Sequence, residues 1–186
     1  MNRIPNILSA SRIILAPVLL YLAWSGQKNL FLIVLAVSLL SDALDGPLAR
    51  KLHATSATGA QLDSIGDLAT YVVLPVCAWW LWPEIIIREA PYVVIAVCAY
   101  FLPLIAGLVK FHTVPSYHTY AAKAAAIIMS VAMLFLFLTE FNTLFRIASI
   151  YQAIVALEEI VITVQLKEPR SDIRSIWHLK NETRGS

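Results

Sequence analysis

Residues 42–67 read DALDGPLARKLHATSATGAQLDSIGD, and this stretch places four aspartates, Asp42, Asp45, Asp63 and Asp67, in a strongly apolar chain. Of its 186 residues 59% are hydrophobic and 14% are charged, and the mean hydropathy is +0.73. This composition is typical of membrane proteins. A carboxylate inside a bilayer is costly unless a partner compensates its charge, so four of them indicate a functional site.

Six apolar segments account for most of the chain, and each is close to the roughly 20 residues that a membrane-spanning helix needs. They are predicted at residues 4–24, 30–51, 60–82, 91–111, 117–138 and 144–166. Residues 167–186 form a polar tail. The sequence therefore predicts an all-α integral membrane protein, a six-transmembrane-helix bundle that forms a single membrane domain over residues 1–186.

The distribution of Lys and Arg predicts the orientation, because short cytoplasmic loops carry an excess of these residues. With six spans both termini lie on one side, and most cations share that side: Arg3, Arg50, Lys51, Lys110, Lys167, Arg170, Arg174, Lys180 and Arg184. The opposite side has Lys28, Arg88 and, just inside a span, Arg146. We expect a multi-pass protein of the inner (cytoplasmic) membrane with cytoplasmic termini and tail. A net charge of +2 gives no indication of a nucleic-acid partner.

The aspartates form two pairs at helical spacing. Asp42 and Asp45 are three residues apart near the cytoplasmic end of the second span, and Asp63 and Asp67 are four apart near the start of the third. Residues three or four apart share a helix face. The polar loop 50–58 is short, so the two helices should be antiparallel neighbours, and all four carboxylates can meet in a polar cavity at the cytoplasmic side.

Carboxylates this close repel one another unless a cation lies between them. Hard oxygen ligands suit Mg²⁺, Mn²⁺ or Ca²⁺, and Mg²⁺ is usually held by carboxylates together with substrate phosphates. Pairing with Arg or Lys alone is the alternative, but few cations lie nearby in the sequence. The pattern therefore favours a metal site that binds a phosphate ester.

Small residues surround the aspartates. Gly46, Ala49 and Gly59 would let a bulky ligand approach the backbone, although small residues also serve helix packing. Arg50 lies four residues beyond Gly46 and can neutralise phosphate oxygens, or it can anchor the cytoplasmic end of the span. These residues add a site for a charged ligand to the predicted metal site.

Together the residues read D-x2-D-G-x2-A-R-x8-G-x3-D-x3-D, which resembles the signature of the CDP-alcohol phosphotransferase (phosphatidyltransferase) family. All eight positions match at their fixed gaps. The resemblance implies six spans with the motif at the cytoplasmic ends of the second and third. It also implies an enzyme, a homodimer, that transfers a phosphatidyl group from CDP-diacylglycerol to an alcohol and releases CMP in phospholipid biosynthesis.

The resemblance further implies a role for each matching residue. Asp67 is the catalytic base, and it joins Asp42, Asp45 and Asp63 around metal, with two Mg²⁺ or Mn²⁺ ions expected. Residues expected at the CDP donor are Asp42, Asp45, Gly46, Ala49, Arg50, Gly59 and Asp63. Bound ions of this kind would neutralise the charge that develops on the leaving CMP.

The acceptor alcohol is less well indicated. The opening IPNILSASRIILAPVLLYLA, residues 4–23, is similar to the start of phosphatidylglycerophosphate and cardiolipin synthases, which favours glycerol 3-phosphate. DSIGDLATY, residues 63–71, looks more like the serine- and inositol-using branches. The acceptor alternatives are therefore inositol or its phosphate, serine and phosphatidylglycerol.

Four cations are candidates for binding the acceptor: Lys110, His118, Lys123 and Arg12. Positive residues also belong in cytoplasmic loops for topological reasons, and an intramembrane Arg12 can equally bridge to an acid in the bundle. The adjacent acids Glu158 and Glu159 in the sixth span can pair with Arg12, with Lys123 or with a cationic acceptor, and the sequence does not choose among these.

Two other classes of membrane protein use intramembrane carboxylates. A prenyltransferase also binds a metal diphosphate, but its acids normally fall in two well-separated motifs, whereas these lie within 26 residues. A divalent-cation transporter would line its path with carboxylates, yet that function leaves the spacing of Gly46, Ala49 and Arg50 unexplained. The transferase accounts for more of the pattern.

Overall fold

The computed structural model describes the backbone of residues 4–51, 57–112, 119–166 and 168, and the side chains of residues 11–41, 65–112, 119–166 and 168. Within these ranges the chain forms seven α-helices. They are α1 (Ile4–Trp24), α2 (Lys28–Lys51), α3 (Ala57–Leu81), α4 (Pro83–Arg88), α5 (Ala90–Phe111), α6 (Tyr120–Thr139) and α7 (Thr143–Gln165). The all-α prediction is confirmed for this part of the chain.

The six long helices coincide closely with the six predicted segments. The helix α1 has the predicted bounds, and α3 begins at residue 57 instead of 60. The short helix α4 was not predicted and occupies the connection before α5. Among the described residues, α5, α6 and α7 are long and apolar enough to cross a membrane, and shorter apolar helical stretches cover residues 11–24, 28–41 and 65–81. The six-span topology, the cytoplasmic cavity and the cytoplasmic termini stay predictions.

The chain divides into two compact units, residues 1–87 and residues 88–186. In the first unit α1 packs against both α2 and α3, and in the second α7 packs against both α5 and α6. Each unit therefore has one central helix that holds two others. The single membrane domain over residues 1–186 stays a prediction.

A tight turn joins α1 to α2 in the first unit. The Gly26 N–H donates to the Ala23 carbonyl (3.1 Å), and the Gln27 N–H donates to the Leu22 carbonyl (3.0 Å). Gly26 has φ +72°, a left-handed conformation that costs glycine little and other residues more. The turn sends α2 back along α1.

Each long helix of the first unit buries one stripe of side chains at intervals of three or four residues, the spacing of a single helix face. On α1 the stripe consists of Arg12, Ala16, Leu19 and Ala23, on α2 of Phe31, Leu35 and Ser38, and on α3 of Thr70, Leu74, Cys77 and Leu81. Every member is at most 5% exposed. The stripes are apolar except at Arg12, Ser38 and Thr70.

The second unit packs closely because its buried residues on α5 are small. Ala99, Pro103 and Gly107 lie four residues apart on α5 and are buried. Small residues on one face allow two helices to approach, and α7 occupies that face of the unit with buried Phe145 and Ile162. The helix α6 is capped by Thr119, whose hydroxyl accepts a hydrogen bond from the Ala122 N–H (3.0 Å), a regular N-terminal cap.

Candidate active site

The four aspartate positions continue the buried stripes of α2 and α3. The stripe at positions 31, 35 and 38 of α2 extends in the same register to 42, 45 and 49, and the α3 stripe extends back from 70 to 67 and 63. The backbone is helical at all of these positions, in agreement with the helical spacing on which the metal-site prediction depends. Some residues predicted for the site fall outside the described side chains: Asp42, Asp45, Gly46, Ala49, Arg50, Gly59 and Asp63. Their metal and donor roles stay predictions.

Asp67 is the motif aspartate whose side chain the structure describes, and it is held by Arg12. The Arg12 Nη1 donates a hydrogen bond to Asp67 Oδ1, which joins α1 to α3 through an ion pair. The Arg12 side chain is 2% exposed, whereas the Asp67 side chain is 35% exposed. The cation is therefore enclosed, and the carboxylate keeps an accessible face.

Two hydroxyl groups lie on the same buried stripes. The Thr70 Oγ1 donates to the Gly66 carbonyl at 2.9 Å. The Ser38 Oγ is buried and has no hydrogen-bond partner among the described residues, and Ser38 precedes Asp42 by one helical turn. In the part of the chain whose side chains are described, no group of three or more His, Cys, Asp or Glu side chains forms a metal site. Three of the four predicted ligands lie outside that part.

The cations predicted at the acceptor have different environments. The Lys110 Nζ donates to the carbonyls of Thr163 (3.0 Å) and Val164 (2.7 Å) in the last turn of α7, where a cation compensates the negative end of the helix dipole. Lys123 is exposed on the first turn of α6. His118 lies outside the described residues. Arg12 pairs with Asp67, which is the alternative role that the sequence left open.

Sequence analysis missed a second polar cluster, which is centred on Glu89 at the start of α5. The Glu89 side chain is fully buried and accepts hydrogen bonds from Asn142 Nδ2 (2.8 Å), Arg146 Nε (2.7 Å) and Arg146 Nη2 (3.0 Å). The hydrogen bonds from Arg146, more than any other cause, lower the pKa of Glu89 although burial opposes them. The cluster ties the first turn of α7 to the start of α5.

The guanidinium groups around Glu89 have further contacts. The Arg146 group lies 5.3 Å from the centre of the Tyr92 ring, a cation–π distance. The Arg88 Nε is 3.5 Å from Glu89 Oε1, and Arg88 Nη1 is 3.3 Å from Glu140 Oε2. The signal for this cluster was the position of Arg146 just inside a predicted span, because such a cation requires a partner.

Comparisons with known proteins agree with the motif. A family model described as CDP-alcohol phosphatidyltransferase matches residues 2–165. The chain is 45% identical over 74 residues to a Homo sapiens protein named cardiolipin synthase (CMP-forming). The matched segment covers 39% of this chain and 25% of the relative. It is 39% identical over 64 residues to an Aquifex aeolicus protein named CDP-diacylglycerol–glycerol-3-phosphate 3-phosphatidyltransferase. That segment covers 34% of this chain and 36% of the relative.

A third relative carries the name of another acceptor. The chain is 35% identical over 71 residues, 38% of this chain and 30% of the relative, to a Helicobacter pylori CDP-diacylglycerol–serine O-phosphatidyltransferase. The chain spans less than half of the length of the curated relatives that it matches. No solved structure matches it.

Proposed function

The chain belongs to the CDP-alcohol phosphatidyltransferase family, and from this premise we propose that it transfers a phosphatidyl group from CDP-diacylglycerol to a hydroxyl acceptor and releases CMP. The observation that carries the proposal is the position of Asp67, a partly accessible carboxylate at the polar end of the buried stripes. The register of those stripes continues through Asp42, Asp45 and Asp63. A chain otherwise suited to lipid thus places four acids at helical spacing on α2 and α3, both of which pack against α1.

The donor set fits a hard divalent cation. Carboxylate oxygens at Asp42, Asp45, Asp63 and Asp67 are the ligands that Mg²⁺ or Mn²⁺ prefers, and two ions are proposed here. When bound, such ions supply charge neutralisation on the diphosphate of the donor. The small residues Gly46, Ala49 and Gly59 would let the cytidine diphosphate approach the backbone, and Arg50 would supply a positive charge for its oxygens. The spacing of these small residues supports a donor site over a path for ions.

Asp67 is proposed as the general base. The acceptor oxygen forms a bond to the phosphorus of the donor, the bond from that phosphorus to the CMP oxygen breaks, and Asp67 takes the acceptor proton. A carboxylate is a weak base towards an alcohol, so the proton moves late, when the hydroxyl already bonds to phosphorus. The accessible face of Asp67 is what this role requires.

The first candidate acceptor is glycerol 3-phosphate. Phosphatidylglycerol is the second, because relatives named cardiolipin synthase match part of the chain, one of them at 45% identity over 74 residues. Both acceptors present a glycerol hydroxyl beside a phosphate, and the exposed Lys123 suits either one. Lys110 supports a small phosphorylated acceptor less, since its ammonium already contacts the carbonyls of α7.

The test is a reaction with purified full-length chain in lipid nanodiscs, CDP-diacylglycerol and Mn²⁺ or Mg²⁺. Glycerol 3-phosphate, phosphatidylglycerol, serine, inositol and inositol phosphate are supplied one at a time, and both CMP and the new lipid are quantified. We expect CMP with a glycerol-bearing acceptor, loss of turnover in EDTA and recovery when Mn²⁺ is restored. No CMP with any acceptor, together with divalent-cation flux in proteoliposomes, would favour the transporter instead.

The remaining parts of the proposal concern the assembly and its membrane. We propose a homodimer in the inner membrane with both termini cytoplasmic, as the Lys and Arg distribution predicts. Labelling of single cysteines introduced near each terminus, in intact and in permeabilised cells, tests the orientation. In that labelling experiment we expect the intact membrane to protect both termini. Light scattering of the nanodisc-embedded protein tests the dimer.

A further inference from the structure

Arg12 combines a full charge with nearly complete burial. Its side chain is 2% exposed, and its partner on α3 is Asp67, which is 35% exposed. An acceptor molecule that enters from the polar end of the unit would reach the carboxylate and not the guanidinium. This arrangement argues against a direct contact between Arg12 and the acceptor.

The position of the guanidinium is set by the packing of α1. Ala16 and Leu19 follow Arg12 on the same stripe and are 3% and 1% exposed, and α1 packs along α3. The Cα atom of Arg12 is therefore held relative to α3 by apolar contacts that do not involve its charge. A guanidinium is also a planar fork with fixed donor directions. Its Nη1 donates to Asp67 Oδ1, and a donor in a rigidly placed group restricts the orientation of the carboxylate that accepts from it.

We propose that Arg12 is a positioning residue that acts through Asp67: it holds the carboxylate in the orientation that faces the acceptor hydroxyl and does not itself bind the acceptor. This inference rests on the proposed function. Without the fork, the Asp67 side chain turns about its own torsions, and the geometry of proton transfer is lost. Misplacement of a catalytic group by about 1 Å costs on the order of 100-fold in rate.

Kinetic constants separate this role from the other two that Arg12 could have. A positioning residue affects kcat and leaves both KM values unchanged. A residue that binds the acceptor affects the KM for the acceptor, and kcat recovers at saturation. A residue that only stabilises the fold lowers the yield and the melting temperature, and kcat per folded molecule stays at the wild-type value.

The experiment compares Arg12→Gln and Arg12→Lys with wild type in nanodiscs, with folded protein quantified by size-exclusion chromatography and thermal melting. We expect kcat of Arg12→Gln to fall by about 10- to 100-fold, with both KM values within about twofold of wild type. Arg12→Lys keeps the charge but not the planar guanidinium, so its kcat should lie between those of wild type and Arg12→Gln. It also provides a measurement if Arg12→Gln does not fold.

Arg146→Gln is the matched control, because it removes the same charge from an ion pair of the second unit that has a fully buried member. Arg146 contacts Glu89 and Tyr92 and no residue predicted for the active site among those described. We expect a lower melting temperature for this variant and an unchanged kcat. An equal loss of kcat in Arg12→Gln and Arg146→Gln would overturn the positioning role.

A double variant tests whether Arg12 acts through Asp67. Once Asp67→Asn has removed the base, addition of Arg12→Gln should lower the residual turnover by less than about twofold, because coupled residues are not additive. Multiplication of the two single effects would overturn the proposal, as would a higher acceptor KM with an unchanged kcat. Absence of CMP release from wild type contradicts the proposed function instead, so the two failures are distinguishable.

Discussion

The two units each contain an ion pair with one fully enclosed member, and the enclosed member has the opposite charge in the two. In the first unit the arginine is enclosed and the acid is accessible: Arg12 is 2% exposed and Asp67 is 35% exposed. In the second unit the acid is enclosed and the arginine is accessible: Glu89 is 0% exposed and Arg146 is 41% exposed. The two pairs have similar partners and different exposed ends.

This difference supports the role proposed for Asp67. The carboxylate of Glu89 accepts three hydrogen bonds and is close to a second guanidinium, so its oxygens are occupied within the fold. A buried charge needs such partners to remain ionised. Asp67 presents an accessible carboxylate, which a metal ion or an acceptor hydroxyl can reach. In each pair the enclosed side chain holds its partner in place. The accessible side chain is the one that a ligand can contact.

The largest expected effect is that of Asp67→Asn on turnover. An amide cannot take the acceptor proton, so we expect kcat to fall by about 100- to 10,000-fold, the usual contribution of a general base. Donor binding should persist, since Asp42, Asp45 and Asp63 remain, and the KM for CDP-diacylglycerol reports it. Asp42→Asn, in contrast, should both lower turnover and weaken donor binding. Wild-type turnover in the Asp67 variant would remove Asp67 from the catalytic role.

Glu89→Gln should affect stability and not turnover. The amide group of Gln cannot accept from all of the Arg146 and Asn142 donors, and one N–H would point at another. Hydrogen bonds to a charged group contribute about 1.5 to 3 kcal/mol, so thermal melting in nanodiscs would detect their loss. Glu84→Gln is the control, because Glu84 is an exposed acid on α4. A loss of kcat per folded molecule in Glu89→Gln would contradict the division of roles.

The sequence predicted the helices well because each long helix carries its own apolar signal. The two ion pairs were harder, since their members are far apart in sequence: Arg12 and Asp67 by 55 residues, Glu89 and Arg146 by 57. No local spacing pairs such residues; the register between two packed helices does. From the sequence, Arg12 could either bind the acceptor or pair with an acid in the bundle. The contact between α1 and α3 was needed to identify that acid as Asp67.

Lys110 shows a second limit of sequence reasoning. Its partners are the backbone carbonyls of Thr163 and Val164, and carbonyls leave no mark in the side-chain pattern. The sequence pattern around a cation near a cytoplasmic loop is therefore the same whether the cation binds a phosphate or the carbonyls at the end of a helix. The motif aspartates have a signal of the opposite kind, short fixed gaps within two helices, and that signal predicted the family that the family model confirms.

Acid should remove the contribution of Glu89 to stability. The pKa of Glu89 is lowered from 4.5 in the folded chain, so the unfolded state binds protons first as the pH falls. Its contribution is complete above about pH 4.5 and is lost as the pH falls through the folded-state pKa. We expect the gap in melting temperature between wild type and Glu89→Gln to be constant from pH 7 to 5 and to close below that range. A gap that stays unchanged down to pH 3 would show that the charge of Glu89 does not contribute.

The smallest expected effect is that of Glu140→Gln, the same chemical change in an acid of the same cluster. Glu140 is 66% exposed and its partner Arg88 is 44% exposed, with 3.3 Å between Arg88 Nη1 and Glu140 Oε2. Exposed pairs contribute little because water and salt screen them, so we expect less than about 0.5 kcal/mol. That small change should shrink further in 0.5 to 1 M salt, roughly where screening shortens to a few ångströms.

This last variant decides whether burial or network membership controls the cluster. If enclosure controls it, Glu140→Gln leaves the melting temperature near wild type, and the effect of Glu89→Gln persists in high salt because buried pairs are screened less. If the cluster acts as a unit through Arg88, the two variants destabilise equally, and the double variant costs little more than either one. The second result would show that an accessible charge can anchor a unit. It would weaken the inference that accessibility marks Asp67 for chemistry, and the kinetics of Arg12→Gln would then be the stronger evidence.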